Sequence, residues 1–186
     1  PLDNRKHNFT VVGSGYPERE EALKMTSYNF RIQSFINKFK SYIYFKLSKK
    51  LTSARLNNYQ FRYYDIISNS KFSFCSGGPM FSLIRKYFEI PSRGTVSIGW
   101  ECNGFNDMGF IDGVNFLKVK SNNEIKDILE SYSLKEIQKI ANEGRKLIWR
   151  NHSDWARRKQ LLETFNLISE GKFNGSYWEK GMYKHF

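Results

Sequence analysis

"KFSFCSGGPMFSLIRKYFEIPSRGTVSIGW", residues 71–100 of the 186-residue chain, carries the pattern of one strand–helix–strand unit. KFSFC (71–75) is a short apolar and aromatic run, which predicts a strand. Ser76-Gly77-Gly78-Pro79 reads as a turn. Leu83, Ile84, Tyr87 and Phe88 recur at helical spacing, which predicts a helix over roughly 81–90. Pro91 and Gly94 close it, and TVSIGW (95–100) predicts a second strand. FSFC and TVSI read as apolar throughout rather than alternating. That pattern belongs to parallel strands covered on both faces.

At 100° per residue, Leu83, Ile84, Tyr87 and Phe88 fall within an arc of about 140°, and Arg85, Lys86 and Glu89 within about 100° on the opposite side. One face is expected to enter the core and the other to carry all three charges. The plain reading is a solvated face on which Arg85 and Lys86 pair with Glu89, worth only ~0.2–0.5 kcal/mol per pair. The alternative is a ridge aimed at a ligand. Ser76, Gly77 and Gly78 would let a ligand approach the backbone, and free N–H groups at the helix start can hold a phosphate. Arg85 and Lys86 could neutralise a diphosphate. Glu89 lies about 10 Å from Ser82 at ~1.5 Å per residue, a reach that suits a carboxylate accepting ribose hydroxyls.

Outward from this unit, NFTVVGSG (8–15) predicts a strand running into a tight loop. YPEREEALKMTSY (16–28) predicts a helix with Pro17 in its first turn and Glu18, Glu20 and Glu21 at its positive end. Gly13, Ser14 and Gly15 form a second candidate phosphate loop. A dinucleotide fingerprint is disfavoured, because Glu18 stands at its third glycine position. Arg19 could reach a phosphate, or could be a surface residue beside Glu18 and Glu20. Residues 30–50 place Ile32, Phe35, Ile36, Phe39, Tyr42 and Ile43 at helical spacing, although YIYF (42–45) could instead be a strand. A helix is predicted over 56–70.

Beyond residue 100 a Gly- and Asn-rich loop (101–115) leads to a short strand (115–119). Three helices follow at 122–132, 133–151 and 153–171, with Asn122 and Ser133 as N-caps. The aromatic tail is expected to pack back on the body. The whole reads as one α/β domain, 1–186. It is expected to be a Rossmann-like open, mostly parallel sheet with helices on both faces and a helical C-terminal part, about 122–171. Such a sheet binds ligands at the carboxyl ends of its strands, here the loops 13–15, 76–78 and 99–113.

Net charge is +12, and the stretch from Ala22 to Tyr64 holds nine Lys or Arg and no Asp or Glu. Such a field attracts phosphates: nucleic acid, an anionic membrane surface or a phosphorylated small molecule. A solvated basic face is the bland alternative. Cys75 and Cys102 have no metal-type spacing and suit free thiols in a reducing cytosol. No signal peptide or membrane span is read, and the opening PLDN looks like a cut boundary of a longer protein. A cytoplasmic chain, with peripheral membrane contact as an option, is expected. His7, His152 and His185 form no triad or metal motif, and His152 reads as a cap or packing group. Asp107 and Asp112 read as turn residues.

The order of these elements resembles the C-terminal half of group 1 glycosyltransferases of the GT-B fold, closest to the CgeB-like branch. The resemblance rests on the strand, the small-residue loop, the basic-x-x-Glu helix of 83–90, the strand after Gly94, and MGFIDGVNFLKV (108–119). It closes with a helix matched by Ala141, Gly144, Arg145 and His152, and it spans about residues 9–168. It implies a nucleotide-sugar donor domain. Glu89 would hold the ribose, Lys86 or Arg85 the diphosphate, and Gly13, Ser14 and Arg19 would line the diphosphate loop. No metal cofactor is implied. The acceptor, a glycan or lipid-linked molecule, would sit on an N-terminal acceptor-binding domain outside this chain. Many relatives carry a second Glu eight positions before the ribose Glu, and Phe81 stands there. The alternatives are a basic nucleic-acid-binding module, which is disfavoured because the aromatics recur at core spacing, and a non-catalytic membrane-surface module.

Overall fold

The computed structural model describes residues 1–13, 17–24 and 61–186. Ser14, Gly15 and the stretch 25–60, with most of the basic segment, lie outside the described residues. Four strands form one parallel sheet in the order β1-β2-β3-β4. They are β1 (His7–Val11), β2 (Ser70–Cys75), β3 (Val96–Gly99) and β4 (Leu117–Lys118). The register sets Phe9 beside Phe72, Phe72 beside Val96 and Ile98 beside Leu117. The helices are α1 (Pro17–Leu23), a helix at 61–68, α2 (Lys86–Ser92), α3 (Glu124–Ser131), α4 (Leu134–Leu147) and α5 (Asp154–Ser169). This is the open, Rossmann-like α/β sheet with a helical C-terminal part. No described helix is long and apolar enough to cross a membrane.

The two faces of the sheet are built differently. Phe9, Val11, Phe72, Phe74, Val96 and Ile98 pack with Ala22 of α1, Ile125 of α3, and Ile137, Ile140 and Ala141 of α4. Burying side chains of this size stabilises by about 1.5–3 kcal/mol each. The intervening residues Thr10, Ser73 and Ser97 are small and fully buried. At the carboxyl ends, Val12 and Cys75 pack with Tyr63, Ile66 and Ile67 of the 61–68 helix and with Tyr87 and Ile90 of α2. The expectation of uniformly apolar strands is therefore corrected: both faces are buried, but large and small side chains alternate. The Ser73 and Ser97 hydroxyls have no hydrogen-bond partner among the described residues.

The central helix also differs from its expected span. A 3-10 turn at Gly78–Met80 ends on Phe81 in the left-handed region (φ 47°). Ser82 then bridges to Asn103, which holds the chain extended, and α2 starts only at Lys86. Pro91 does not end α2, because it sits in the last turn, where only one ladder bond is lost. Asn122 does not cap α3. Its side-chain amide donates to Glu18 O (2.7 Å) and Glu21 Oε2 (2.9 Å), fastening the start of α3 to α1. Ser133 does cap α4, in a reciprocal box with Glu136.

The tail packs back as an antiparallel hairpin, β5 (Ser176–Glu179) and β6 (Met182–His185). Lys180 (φ 50°) and Gly181 (φ 81°) make its two-residue turn. The turn docks on the 101–115 loop, where Gly181 N–H donates to Asp107 O at 2.7 Å. A Cβ on Gly109 would meet Gly181 Cα at 2.8 Å, so this contact is backbone on backbone.

Arg5 closes the opposite, amino end of the sheet. Its guanidinium donates to Ser70 O (2.9 Å), Thr95 Oγ1 (2.5 Å), Arg93 O (3.0 Å) and Gly94 O (2.9 Å). One side chain thus joins the start of β1 to the starts of β2 and β3 and to the end of α2. Arg5→Ala leaves these carbonyls short of donors and should lower stability by about 2–4 kcal/mol in urea unfolding. A loss under about 0.5 kcal/mol would show that the clamp is redundant.

Candidate functional site

The carboxyl ends of β1 and β2 bring together Gly13, Arg19, Ser76 and Lys86. Lys86 opens α2, yet its side chain runs inward and is only 7% exposed. Its ammonium donates to Val12 O at the end of β1. Burial, then the nearby Arg19 guanidinium, push the Lys86 pKa down to about 7. Gly13 has φ 105°, and a Cβ there would meet Lys86 Nζ at 2.5 Å and Arg19 Nη1 at 3.5 Å. Glycine is required at this position by its backbone angle, and a Cβ would also have to displace the end of the Lys86 side chain. Arg19 is buried, its Nε donating to Ser76 Oγ (3.2 Å), and Ser76 Oγ in turn donates to Glu18 Oε1 (3.1 Å). The alternative of Arg19 as a surface residue is removed by this burial.

The expected charged face of the central helix is split. Arg85 points to solvent, with 76% of its side chain exposed, and pairs with Glu89 Oε1 at 2.9 Å. Lys86 turns the other way. Leu83 and Ile84 lie before α2 and do not set its buried face, which is made by Lys86, Tyr87, Ile90 and Pro91. The Glu89 side chain is only 14% exposed. Its Oε2 accepts from Tyr63 OH (2.9 Å) and its Oε1 from Tyr64 OH (2.9 Å). Burial, then the Glu89 carboxylate, push the Tyr63 pKa up. These tyrosines were missed from the sequence, where they read only as helix aromatics. The adjacent pair in FRYYD, one helical turn or two ahead of a strand, is the signal that was there.

Gly77 and Gly78 do not lead directly into a helix. Gly77 packs on Cys102, where a Cβ would sit 2.3 Å from the sulfur, and Ser82 N–H donates to Gly77 O at 3.4 Å. Cys75 and Cys102 are both buried free thiols. Burial pushes the Cys75 pKa well up, so neither position offers a ready thiolate. Tyr87 OH donates to Trp100 O at 2.7 Å and lies 2.9 Å from Cys102 Sγ. A second concavity, a cleft of about 450 Å³, lies at the carboxyl ends of β3 and β4 and is lined by Phe81, Trp100, Glu101, Lys118, Val119 and Lys120. Among the described residues no group of His, Cys, Asp or Glu side chains could hold a metal ion.

His152 is a packing group. It ends the π-helical turn Ile148–His152, and its ring lies between Phe88 and Trp178, each 5.1 Å away between centroids. Nε2–H donates to Met108 O (2.8 Å), which leaves Nδ1 to accept from Arg157 (3.1 Å). Burial, with Arg157 adding to it, pulls its pKa down to about 4. Gly144 lies where α4 crosses α2, since a Cβ there would be 2.9 Å from Asn115 O and 3.1 Å from Pro91 Cβ.

No protein-family model matches the chain, and no curated protein or solved structure matches it.

Two pH effects follow from the buried bases. The Lys86 pKa is lower in the folded than in the unfolded chain, so the unfolded chain binds the extra proton between about pH 7 and the ordinary lysine value. Stability from this residue is present at high pH and lost as pH falls towards 7. Lys86→Met should therefore gain stability on the parent as pH drops from 9 to 7 in urea unfolding. Parallel curves would show that the ammonium is not buried. The His152 pKa is depressed likewise, so its contribution is full above about pH 6.5 and lost as pH falls towards 4. Trp178 emission should report the hairpin loosening over that interval, and a flat signal would remove this role.

Proposed function

We propose that this chain is the nucleotide-sugar-binding domain of a glycosyltransferase, which transfers a sugar from a nucleoside-diphosphate sugar to a glycan or lipid-linked acceptor. The observation that carries this reading is the convergence of Lys86 and Arg19 on the Gly13 backbone at the carboxyl end of β1 and β2. In open parallel sheets that edge is where ligands bind. A buried ammonium whose one hydrogen bond among the described residues goes to a carbonyl, beside a second cation, favours an incoming anion. A diphosphate supplies that charge.

In this reading Lys86 and Arg19 hold the diphosphate, with Ser14 next to Gly13 in sequence and Arg85 available from solvent. Ser76 keeps Arg19 in place. Glu89 takes the ribose. Each carboxylate oxygen has two lone pairs, and Oε2 gives only one to Tyr63, so a ribose hydroxyl can share it. Tyr63 and Tyr64 fix the carboxylate's orientation in advance of binding. Ser76, Gly77 and Gly78 shape the loop between these groups and lead into the 3-10 turn rather than into the start of α2. An acceptor-binding domain would bring the second substrate. The basic 22–64 segment would suit contact with anionic lipid on the cytoplasmic side when the acceptor is lipid-linked.

Titration of UDP, GDP, ADP and TDP and their sugars, by calorimetry and thermal shift, tests this. At least one diphosphate should raise the melting temperature. Arg19→Ala and Glu89→Gln should each weaken it about tenfold, the loss of one charge-assisted contact. Glu89→Gln is the informative variant, because Glu89→Ala also strands the two tyrosine hydroxyls. No stabilisation by any of these at millimolar concentration would sink the reading.

A further inference from the structure

The cleft at the carboxyl ends of β3 and β4 has features that packing alone does not require. Phe81 keeps a large apolar ring 52% exposed on a left-handed backbone (φ 47°), a conformation that bulky residues rarely adopt. The backbone is pinned there from both sides: Phe81 N–H donates to Gly78 O (3.1 Å), and Phe81 O accepts from Asn103 N–H (2.9 Å). The ring lies nearly parallel to Trp100, 18° between planes and 6.2 Å between centroids. The stacked pair gives the cleft an apolar aromatic wall. The Trp100 indole N–H is buried and has no acceptor among the described residues. Buried donors without a partner are rare, and they mark places where water or a ligand completes the bonding.

The polar groups are at the rim. Glu101 Oε2 and Lys118 Nζ pair at 2.9 Å and stay partly exposed, an acceptor and a donor side by side. The Lys120 side chain makes no ion pair among the described residues, while its backbone N–H donates to Glu124 Oε2 at 2.9 Å. An apolar wall with a few polar groups at its edge is the general form of a small-ligand site.

We infer that this cleft is a saccharide subsite, which stacks a pyranose ring on Phe81 and Trp100 and takes an acidic substituent of that ring on Lys120. A pyranose has an apolar C–H face and a rim of hydroxyls. The face suits the aromatic wall, and neighbouring hydroxyls suit the Glu101–Lys118 pair. The inference rests on the nucleotide-sugar reading only for the link to a diphosphate. Neighbouring strands are about 4.8 Å apart, so the cleft lies roughly 10 Å along the sheet edge from the Gly13 cations. One extended sugar diphosphate can cover that distance.

Methyl β-D-glucuronide, methyl β-D-glucoside and uridine are the probes, titrated against the chain by tryptophan emission and ligand-observed NMR. The same samples are titrated with the nucleoside diphosphates. The glucuronide should bind about threefold to tenfold more tightly than the glucoside, the gain from one exposed charge-assisted contact. Lys120→Ala should remove that preference. Phe81→Ala should weaken both glycosides at least about fivefold through lost stacking, with the melting temperature and nucleoside diphosphate binding unchanged. Phe81→Leu, which keeps apolar bulk, should give a smaller loss.

Glycosides that fail to bind while a nucleoside diphosphate binds would overturn the subsite and leave the donor reading standing. Glycosides that bind while no diphosphate does would support the subsite and sink the donor reading. Equal binding of the two glycosides, or uridine competing for the cleft, would overturn the assignment to an acidic sugar.

Discussion

A buried ammonium is costly to keep from water, and the arrangement around it follows from where it must go. Lys86 sits at the first position of α2, and its nitrogen reaches the Val12 carbonyl at the end of β1. That reach fixes the start of the helix over the sheet edge rather than out in solvent. It brings the lysine nitrogen against Gly13, where a Cβ would have to push it aside. It also separates Lys86 from Arg85, its neighbour in sequence, so that one cation is buried and the other pairs with Glu89 at the surface. Keeping a charge out of water is tolerated when a charge partner or hydrogen bonds compensate it. A single carbonyl compensates only in part, which is why the lysine holds its proton weakly.

The acidic counterpart is arranged the other way. Glu89 is nearly buried, but it is well partnered: two tyrosine hydroxyls and a guanidinium meet its oxygens. Tyr63 and Tyr64 come from the helix that precedes β2, so this carboxylate couples that helix to α2. The same bonds hold it in one orientation. A group fixed in this way loses little freedom on meeting a ligand, which is the general advantage of preorganisation. The contrast between an under-satisfied cation and a well-satisfied anion, on one helix, gives the sheet edge its positive bias.

Much of this was legible in the sequence. The strand–turn–helix–strand order of 71–100 defined the parallel sheet, and Ser133 and Glu136 announced the capping box of α4. The position of Gly13 and Arg19 at the first strand's end could also be read. The direction of Lys86 could not, because Leu83 and Ile84 were counted in setting the buried face. A left-handed Phe81 with a bridge at Ser82 leaves both outside the helix, whose buried face Ile90 and Pro91 share with Lys86. Arg5 carried no pattern at all, since its partners are backbone carbonyls far away in sequence. The serines of FSF and VSI looked like neutral interruptions of apolar runs. They are the small members of an alternation that lets helices lie close to one face. The C-terminal hairpin was read only as an aromatic tail that packs back on the body, although Lys180-Gly181 between aromatic residues is a turn signal.

The register of the sheet also sets an order of assembly. β2 and β3 pair across only the loop and helix between residues 76 and 95, whereas β1 and β2 pair across everything from 12 to 69. Closing the longer loop costs more chain entropy before any contact rewards it. The β2–α2–β3 unit can therefore form as a nucleus while β1 is still free, and only the arrival of β1 brings Val12 to the lysine. Until then the Lys86 ammonium keeps its water, so its desolvation belongs to a late step of folding.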